Sequence, residues 1–327
     1  MLLTLIDWLV IGAYMLFTLF VGLWVMKKSG ADSTEYFAAG KNMPWWLLGI
    51  SMVATTFSTD TPNLVTDIVR QNGVAGNWTW WAFLLSGMMT VFIYAHLWKR
   101  SGILTDVEFY ELRYSGKSAA FLRGFRAIYL GLIFNVIIMA SVSLAAIKLG
   151  TVIIGLTPLQ TILIAGTVTV IYSALGGLRS VLITDFFQFF LSILGGFIAA
   201  YVALSHPDVG GFSGLFTNAD VQPLMNMLPD FSDTSQLWAI FIIPLAVQWW
   251  SVYYPGSEPG GGGYVAQRML AAKDENNAVG AVFLFNALHY ALRPWPWILV
   301  GLCSVIVFPT LDSISEAFPH ASGVVGH

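Results

Sequence analysis

An eleven-residue polar stretch, VATTFSTDTPN at positions 53–63, lies within an otherwise apolar segment of the chain. Inside a helix, Pro62 lacks the N–H group that would normally bond the carbonyl of Ser58. Breaks in a membrane helix are tolerated only where protein or a wet cavity satisfies the freed backbone groups. A carboxyl such as that of Asp60 is also costly in a membrane unless it serves a pathway or a pair. The stretch therefore predicts a binding site, with a simple proline kink as the alternative.

A second polar cluster follows a pair of glycines, in the sequence GGLRSVLITDFFQ at positions 176–188. We expect the glycines to end one helix and Arg179 to mark the cytoplasmic face. Thr184, Asp185 and Gln188 then share one face of the next helix. The carboxylate beside a hydroxyl indicates a cation site or a cation exit route. The alternative is that Asp185 only pairs with Arg179 across the turn.

The composition places these clusters in a membrane protein. Of 327 residues, 57% are hydrophobic and only 10% are charged, whereas about 25% charged residues is usual for soluble domains. The formal net charge of −3 provides no basic field for nucleic acid. The single cysteine, Cys303, can form no disulfide within the chain.

Apolar segments long enough to cross a bilayer are predicted at 3–26, 44–70, 78–98, 120–150, 157–175, 181–204, 236–254 and 277–308. Twelve of the fifteen Lys and Arg residues, Arg268 among them, lie at or beside alternate loops, which are therefore expected to be cytoplasmic. The loop 205–235 has no Lys or Arg and is acidic. By the positive-inside rule this loop is extracellular, and the N-terminus is also outside. We expect a multi-pass protein of the plasma membrane, in a bacterium the inner membrane, with the lipid bilayer as its surroundings.

Three motifs in order resemble the sodium/solute symporter family, whose members carry sugars, proline or sialic acid with sodium. They are DSTEYFAAGKNMPWW at 32–46 followed by the polar break, GGLRSVLITDFFQ at 176–188, and YVAQRMLAAK at 264–273. The resemblance runs from about residue 5 to residue 308 of the sequence. It implies a sodium-driven carrier of a small organic solute, with Na⁺ as the coupling ion.

The resemblance also implies the fold: an all-α membrane protein of about eight helices, with a leucine-transporter-type core of inverted repeats. We expect a leading helix and cytoplasmic loop at 1–43, a first five-helix repeat at 44–204 and an extracellular loop at 205–235. Residues 236–327 would be the first two helices of a second repeat. Because each repeat of this fold has five helices, the chain is expected to be truncated, with three helices of the second repeat missing.

Family sites can be transferred onto matching positions. The main sodium site would use the backbone carbonyls of Ala54 and Phe57, whose oxygen dipoles suit a hard cation, with further ligands expected beyond residue 327. Asp185 and Thr184 match a second sodium site or the sodium exit path. The candidate solute-binding residues are Thr56, Ser58, Asp60, Thr61, Thr79, Asn135, Gln248, Ser251 and Tyr253, with Tyr254 as a gate.

The solute is expected to be neutral and polyhydroxylated, with a sugar favoured. Sialic acid carriers place an arginine near the break, and this chain has none in that stretch. The Gly-rich run 260–263 lacks the Gly-Lys-Ser/Thr ending of a phosphate-binding loop, so a nucleotide site is not expected. His289 and Arg293 lie four apart on one helical face and either line the pocket or anchor neighbouring groups.

Other functions remain open at this point. An amino acid or another organic solute could replace the sugar, and a transporter-like domain could sense a solute without moving it. An enzyme is not expected, because the sequence has no His-Glu-x-x-His motif and no Cys/His ligand spacing.

Overall fold

The computed structural model describes residues 3–58, 60–250 and 262–319, including all their side chains except those of Asp60 and Leu311. Across these residues the protein is helical, and its only β pairing is an isolated bridge between Met43 and Ala272. The chain divides into two compact units. The first comprises residues 1–57, 86–189 and 251–286, and the second comprises 58–85, 190–250 and 287–327. The repeat boundaries given above stay a prediction.

The first unit is built on two closely packed helices, Trp45–Thr55 and Glu275–Asn286. A Cβ atom added at Gly49 would lie 2.8 Å from the carbonyl oxygen of Ala281, so a glycine is required for this approach. Leu48, Met52 and Val282 are almost fully buried. The other helices that lie within this unit are Leu5–Ser29, Ser33–Ala38, Ala39–Lys41, Thr90–Tyr94, Ala95–Ser101, Asp106–Glu108, Phe109–Arg113, Gly116–Ile128, Tyr129–Phe134, Asn135–Leu149, Gly150–Ile154 and Gly263–Ala271.

The second unit is built on the helices Asp60–Asn72 and Trp295–Val307, whose buried side chains form one apolar core. Val69, Leu215, Val221 and Ile298 are members of that core. Shorter helices complete the unit at Val74–Asn77, Trp78–Trp81, Gly211–Thr217, Gln222–Met225, Thr234–Leu237, Trp238–Ile242, Ile243–Ala246, Gln248–Trp250, Ala287–Leu292 and Leu311–Ala317. The elements Leu84–Met89 and Pro158–Leu204 contribute residues to both units.

Within the described residues, four helices are long and apolar enough to cross a membrane: Leu5–Ser29, Gly116–Ile154, Pro158–Leu204 and Glu275–Val307. A bent pair, Val74–Trp81 with Leu84–Ser101, meets at 43° and would form a fifth. The 47-residue helix Pro158–Leu204 covers the predicted segment 181–204 and, except for its first residue, the predicted segment 157–175. The predicted segment 44–70 is divided at the polar break, and the segment 236–254 is a series of short helices as far as Trp250.

The predicted helix end at Gly176–Gly177 is confirmed. Gly177 has φ 54° and ψ −157°, which interrupts the helical backbone within Pro158–Leu204. A positive φ is strained for residues other than glycine. A Cβ atom at this position would also lie 2.7 Å from the carbonyl oxygen of Tyr36.

Substituting Gly177→Ala is therefore expected to destabilise the protein by about 2 kcal/mol or more, from backbone strain and this close contact. Thermal unfolding of the purified protein in detergent measures the effect. Gly166→Ala is the matched control in the same helix, because a Cβ atom at Gly166 would meet nothing within 4 Å. Equal melting temperatures for the two variants would contradict the role assigned to Gly177.

Candidate functional site

The polar stretch forms a break between two helices, as the sequence predicted. One helix ends at Thr55 and the next begins at Asp60. Pro62 lies in the first turn of the second helix, where an N–H group is not needed. In place of the N–H group that Pro62 lacks, the Ser58 carbonyl accepts a hydrogen bond from the Thr61 N–H at 3.3 Å.

The two predicted sodium-binding carbonyls lie in the last turn of the first helix, at Ala54, and just beyond its end, at Phe57. The Phe57 N–H donates to the Ala54 oxygen at 3.0 Å. The Thr56 hydroxyl donates to the Val53 oxygen at 2.6 Å, so this candidate solute ligand is bonded to its own helix. A carbonyl oxygen has two lone pairs, so the one on Ala54 could accept a cation as well. The Phe57 ring packs against Phe189, with 6.1 Å between the ring centroids.

Asp185 is the centre of a buried polar network in the first unit. Its side-chain oxygen Oδ2 accepts a 2.5 Å hydrogen bond from the Ser51 hydroxyl and lies 3.5 Å from a terminal nitrogen of Arg268. Arg268 also donates to Ser51 at 3.2 Å and to the Thr55 hydroxyl at 3.0 Å. The side chains of Asp185 and Arg268 are only 7% and 5% exposed. The network therefore joins the carboxylate to the last turns of the helix that ends at the break.

The alternative that Asp185 pairs with Arg179 is wrong. Arg179 instead forms an ion pair with Glu35 at 2.9 Å and donates to the Ala39 carbonyl. Thr184 is fully buried next to Asp185 in sequence. Its hydroxyl lies 3.1 Å from the Ser180 carbonyl oxygen and 3.0 Å from that of Val181, both within its own helix.

A second polar cluster surrounds Thr61 in the second unit. Arg293 is 6% exposed and donates to the Thr61 hydroxyl at 2.5 Å. A second guanidinium nitrogen lies 2.9 Å from Nδ1 of His289, so the two residues share one helical face as expected. The Trp80 ring lies edge to face with His289 and stacks on Tyr290, with centroid distances of 5.9 and 5.7 Å.

The other predicted solute residues are not brought together in this way. The Thr79 hydroxyl donates to the Gly76 carbonyl at 3.0 Å. Asn135 is exposed, on a helix that has no buried side chain. Gln248 is half-buried at the start of a short 3₁₀ turn. Ser251, Tyr253, Tyr254 and the side chain of Asp60 lie outside the described part of the chain.

Sequence reasoning missed Ser51, Thr55 and Arg268. Arg268 was counted as a charge beside a cytoplasmic loop, although it is 4% exposed. A signal was present, because Arg268 stands in the apolar sequence VAQRMLAA, where an unpaired charge would be costly. His289 and Arg293 were identified as a pair, but nothing in the sequence linked them to Thr61.

Comparisons with known proteins support one family. The family model described as "Sodium:solute symporter family" matches residues 36–311. A sodium/glucose cotransporter of Vibrio parahaemolyticus is 30% identical over 315 residues, which are 93% of this chain and 56% of that protein. Sodium/glucose cotransporter 2 of Rattus norvegicus is 26% identical over 211 residues, covering 64% of this chain and 31% of the relative. The chain thus spans about half the length of the first relative and less of the second.

The fold also matches a solved structure, that of a sodium-coupled sialic acid symporter in a substrate-bound, outward-open state. The TM-score is 0.71 at 18% identity, over 97% of this chain and 62% of the other. This similarity concerns the fold alone. The all-α membrane fold class that the sequence predicted, with its leucine-transporter-type architecture, is confirmed.

Proposed function

Because this chain belongs to the sodium:solute symporter family, we propose that it carries a small, neutral, polyhydroxylated solute, with a sugar favoured, by sodium-driven symport. Alternating access would move sodium and solute together across the membrane. It acts as a carrier rather than an enzyme. It lies in the plasma membrane, which in a bacterium is the inner membrane, and its N-terminus is outside.

The observation that carries this proposal is the buried network around Asp185, which includes Ser51 and Thr55 of the helix that ends at the break. Ser51 bonds the carboxylate and lies three residues before Ala54, whose carbonyl is in the last turn of the helix. Carbonyl and carboxylate oxygens suit a sodium ion, since their dipoles replace its water without trapping it. An apolar protein interior does not hold a carboxylate without a pair or a function.

In this mechanism Arg268 and sodium compete for Asp185. The guanidinium stabilises the carboxylate when no sodium is near, and a sodium ion would take its place during passage. Sodium bound at the carbonyls of Ala54 and Phe57 would favour one arrangement of the break and so raise the affinity for solute. By thermodynamic linkage the solute would raise the affinity for sodium by the same factor.

The solute would interact with the polar side of the same chain segment, at Ser58 and Thr61. The polar stretch 53–63 contains no arginine, but Arg293 contacts Thr61 from another helix. An acidic sugar is therefore the second candidate. It would have to displace the bonds of Arg293 to Thr61 and His289, whereas a neutral sugar could bond the Thr61 hydroxyl without displacing the cation.

The proposal is tested by measuring uptake into proteoliposomes with an inward sodium gradient. The labelled solutes are D-glucose, D-galactose, myo-inositol, proline and sialic acid. We expect uptake of a neutral sugar or polyol that requires sodium. Asp185→Asn should reduce it by about tenfold or more, as expected for the loss of more than 1.4 kcal/mol of sodium interaction. Asp220→Asn, in the exposed loop, is the matched control and should leave uptake unchanged.

Three results would revise the proposal. Uptake of proline or sialic acid alone would change the solute class while keeping symport. Uptake that proceeds equally without sodium would remove the coupling ion. Saturable binding without uptake under any gradient would leave a solute sensor.

A further inference from the structure

The second unit contains a cavity of about 790 Å³ that none of the predicted site residues lines. It lies between the end of the helix Asp60–Asn72 and residues 223–236, which form the end of the loop 205–235 and the residue after it. Ala75 and Pro229 are buried at its walls. Pockets for small ligands commonly enclose about 300–1,000 Å³, so this cavity is large enough for a monosaccharide or a disaccharide.

The loop is fixed against the unit that carries it, so the cavity is preformed. The indole N–H of Trp78 donates to the carbonyl of Met227 at 2.9 Å. Gly73 has φ +67°, and a Cβ atom there would lie 2.8 Å from the Leu224 carbonyl oxygen. Val221 is completely buried in the core of the unit. A preformed pocket binds its ligand without the entropy cost of ordering a loop.

The polar groups of the cavity suit hydroxyl groups. Gln71, Asn72, Asn226 and Gln236 contribute carboxamides, which can both donate and accept hydrogen bonds. Asp230 contributes a carboxylate whose Oδ1 accepts 2.8 Å bonds from the N–H and the hydroxyl of Ser232. These two bonds hold the pKa of the Asp230 carboxyl below its usual value, and the bond from the backbone N–H has the larger effect. The carboxyl is therefore ionised at neutral pH.

An aromatic ring completes the set. Phe231 lines the cavity, is 62% exposed and meets Phe241 at a centroid distance of 6.5 Å. Its exposed surface can pack against the C–H face of a sugar ring, while the amides and the carboxylate bond the hydroxyls. Apolar surface with a few placed polar groups is the general pattern of a small-molecule site.

The charge of the cavity disfavours anions. The loop 205–235 has no Lys or Arg. Arg70 is next to Gln71 in sequence, but its guanidinium donates to the carbonyls of Ser304 and Phe308, both at 2.8 Å. These segments therefore place no cation beside Asp230. Its negative charge would repel an acidic sugar.

We propose that this cavity is an outer binding site at which a neutral sugar or polyol is captured before it reaches the break. The proposal rests on the proposed function, because it places the loop 205–235 outside and takes the transported solute as ligand. Capture at this site raises the local concentration of solute at the entrance. Its loss therefore raises the solute concentration needed for half-maximal uptake and leaves the maximal rate unchanged.

The test uses a cysteine as reporter, since the chain has a single, buried cysteine, Cys303. Asn226→Cys, in a Cys303→Ala background, is labelled with a membrane-impermeant maleimide on sealed cells in sodium-free medium, with and without D-glucose. We expect D-glucose to slow labelling by about threefold or more at a concentration that occupies most of the sites. Asp208→Cys is the matched control, in the same loop but not in the cavity, and should show no protection.

A second measurement separates the site from simple folding defects. Phe231→Ala should raise the half-saturating D-glucose concentration about three- to tenfold, leave the maximal sodium-driven rate within about twofold and leave the sodium dependence unchanged. Three results would overturn the site while wild-type uptake stands: no protection by D-glucose, protection by sodium alone, or labelling only in permeabilised cells. Failure of wild-type uptake with every solute would instead overturn the proposed function, whatever the labelling shows.

Discussion

Replacing Arg268 by methionine is expected to destabilise the folded protein by about 3–5 kcal/mol, because Asp185 would lose the cation paired with it in a buried site. Ser51 and Thr55 would also lose the hydrogen bonds that the guanidinium donates. Thermal and denaturant unfolding of the purified protein, in sodium-free detergent solution, measure the loss.

A double-mutant cycle separates the charge from the packing. Arg268→Met combined with Asp185→Asn removes both charges, so we expect the double variant to recover most of the stability that Arg268→Met alone loses. Arg100→Met is the matched control. Arg100 also forms an ion pair, with Glu275 at 2.8 Å, but both side chains are exposed, so little change in melting temperature is expected.

Sodium provides a further readout in the same variants. If sodium competes with Arg268 for the carboxylate, sodium should raise the melting temperature of Arg268→Met more than that of the wild type, through preferential binding to the folded state. The double variant should lack this difference. A melting temperature of Arg268→Met that equals the wild type, in sodium-free solution, would contradict the assignment of a buried ion pair.

Replacing Arg293 by methionine is expected to lower the maximal rate of sodium-driven uptake by about tenfold or more, through loss of the group that positions Thr61. The substitution removes charge-assisted bonds to Thr61 and His289, each worth about 1.5–3 kcal/mol in proteins. Methionine keeps much of the side-chain volume, so the packing of the core is affected less than the position of the Thr61 hydroxyl.

Two comparisons distinguish positioning from stability. Arg293→Lys keeps the positive charge but lacks the planar guanidinium that bonds Thr61 and His289 at the same time. Relative to Arg293→Met, we therefore expect partial recovery of stability and little recovery of the uptake rate. Thr61→Val removes the positioned hydroxyl and should reduce uptake with a smaller loss of stability. Normal uptake by Arg293→Met at a temperature where it is folded would exclude a positioning role.

Several features were predictable from the sequence because their signals are local. The excess of apolar residues over charged ones determines that the surroundings are a membrane. A proline among hydroxyl residues predicted the break after Thr55, and a glycine pair predicted the helix end at Gly177. The order of three short motifs indicated the family, which the match over residues 36–311 confirms.

The partners of the buried charges could not be predicted in the same way. Asp185 is 83 residues from Arg268, and Arg293 is 232 residues from Thr61. Contacts over such separations depend on which helix faces pack together, and hydropathy and local spacing do not carry that information. From sequence alone, an arginine near a loop is interpreted as a surface charge. For this reason Arg268 was assigned to the cytoplasmic face.

The sequence by itself therefore determined the membrane class, the two interruptions of the helices and the family. Only the tertiary structure decided that Arg268, rather than Arg179, neutralises Asp185, and that Arg293 reaches Thr61. The physical reason is that a break depends on the backbone properties of a few adjacent residues. The pairing of a buried charge depends on how distant helices pack, because only packing brings its partner within hydrogen-bonding distance.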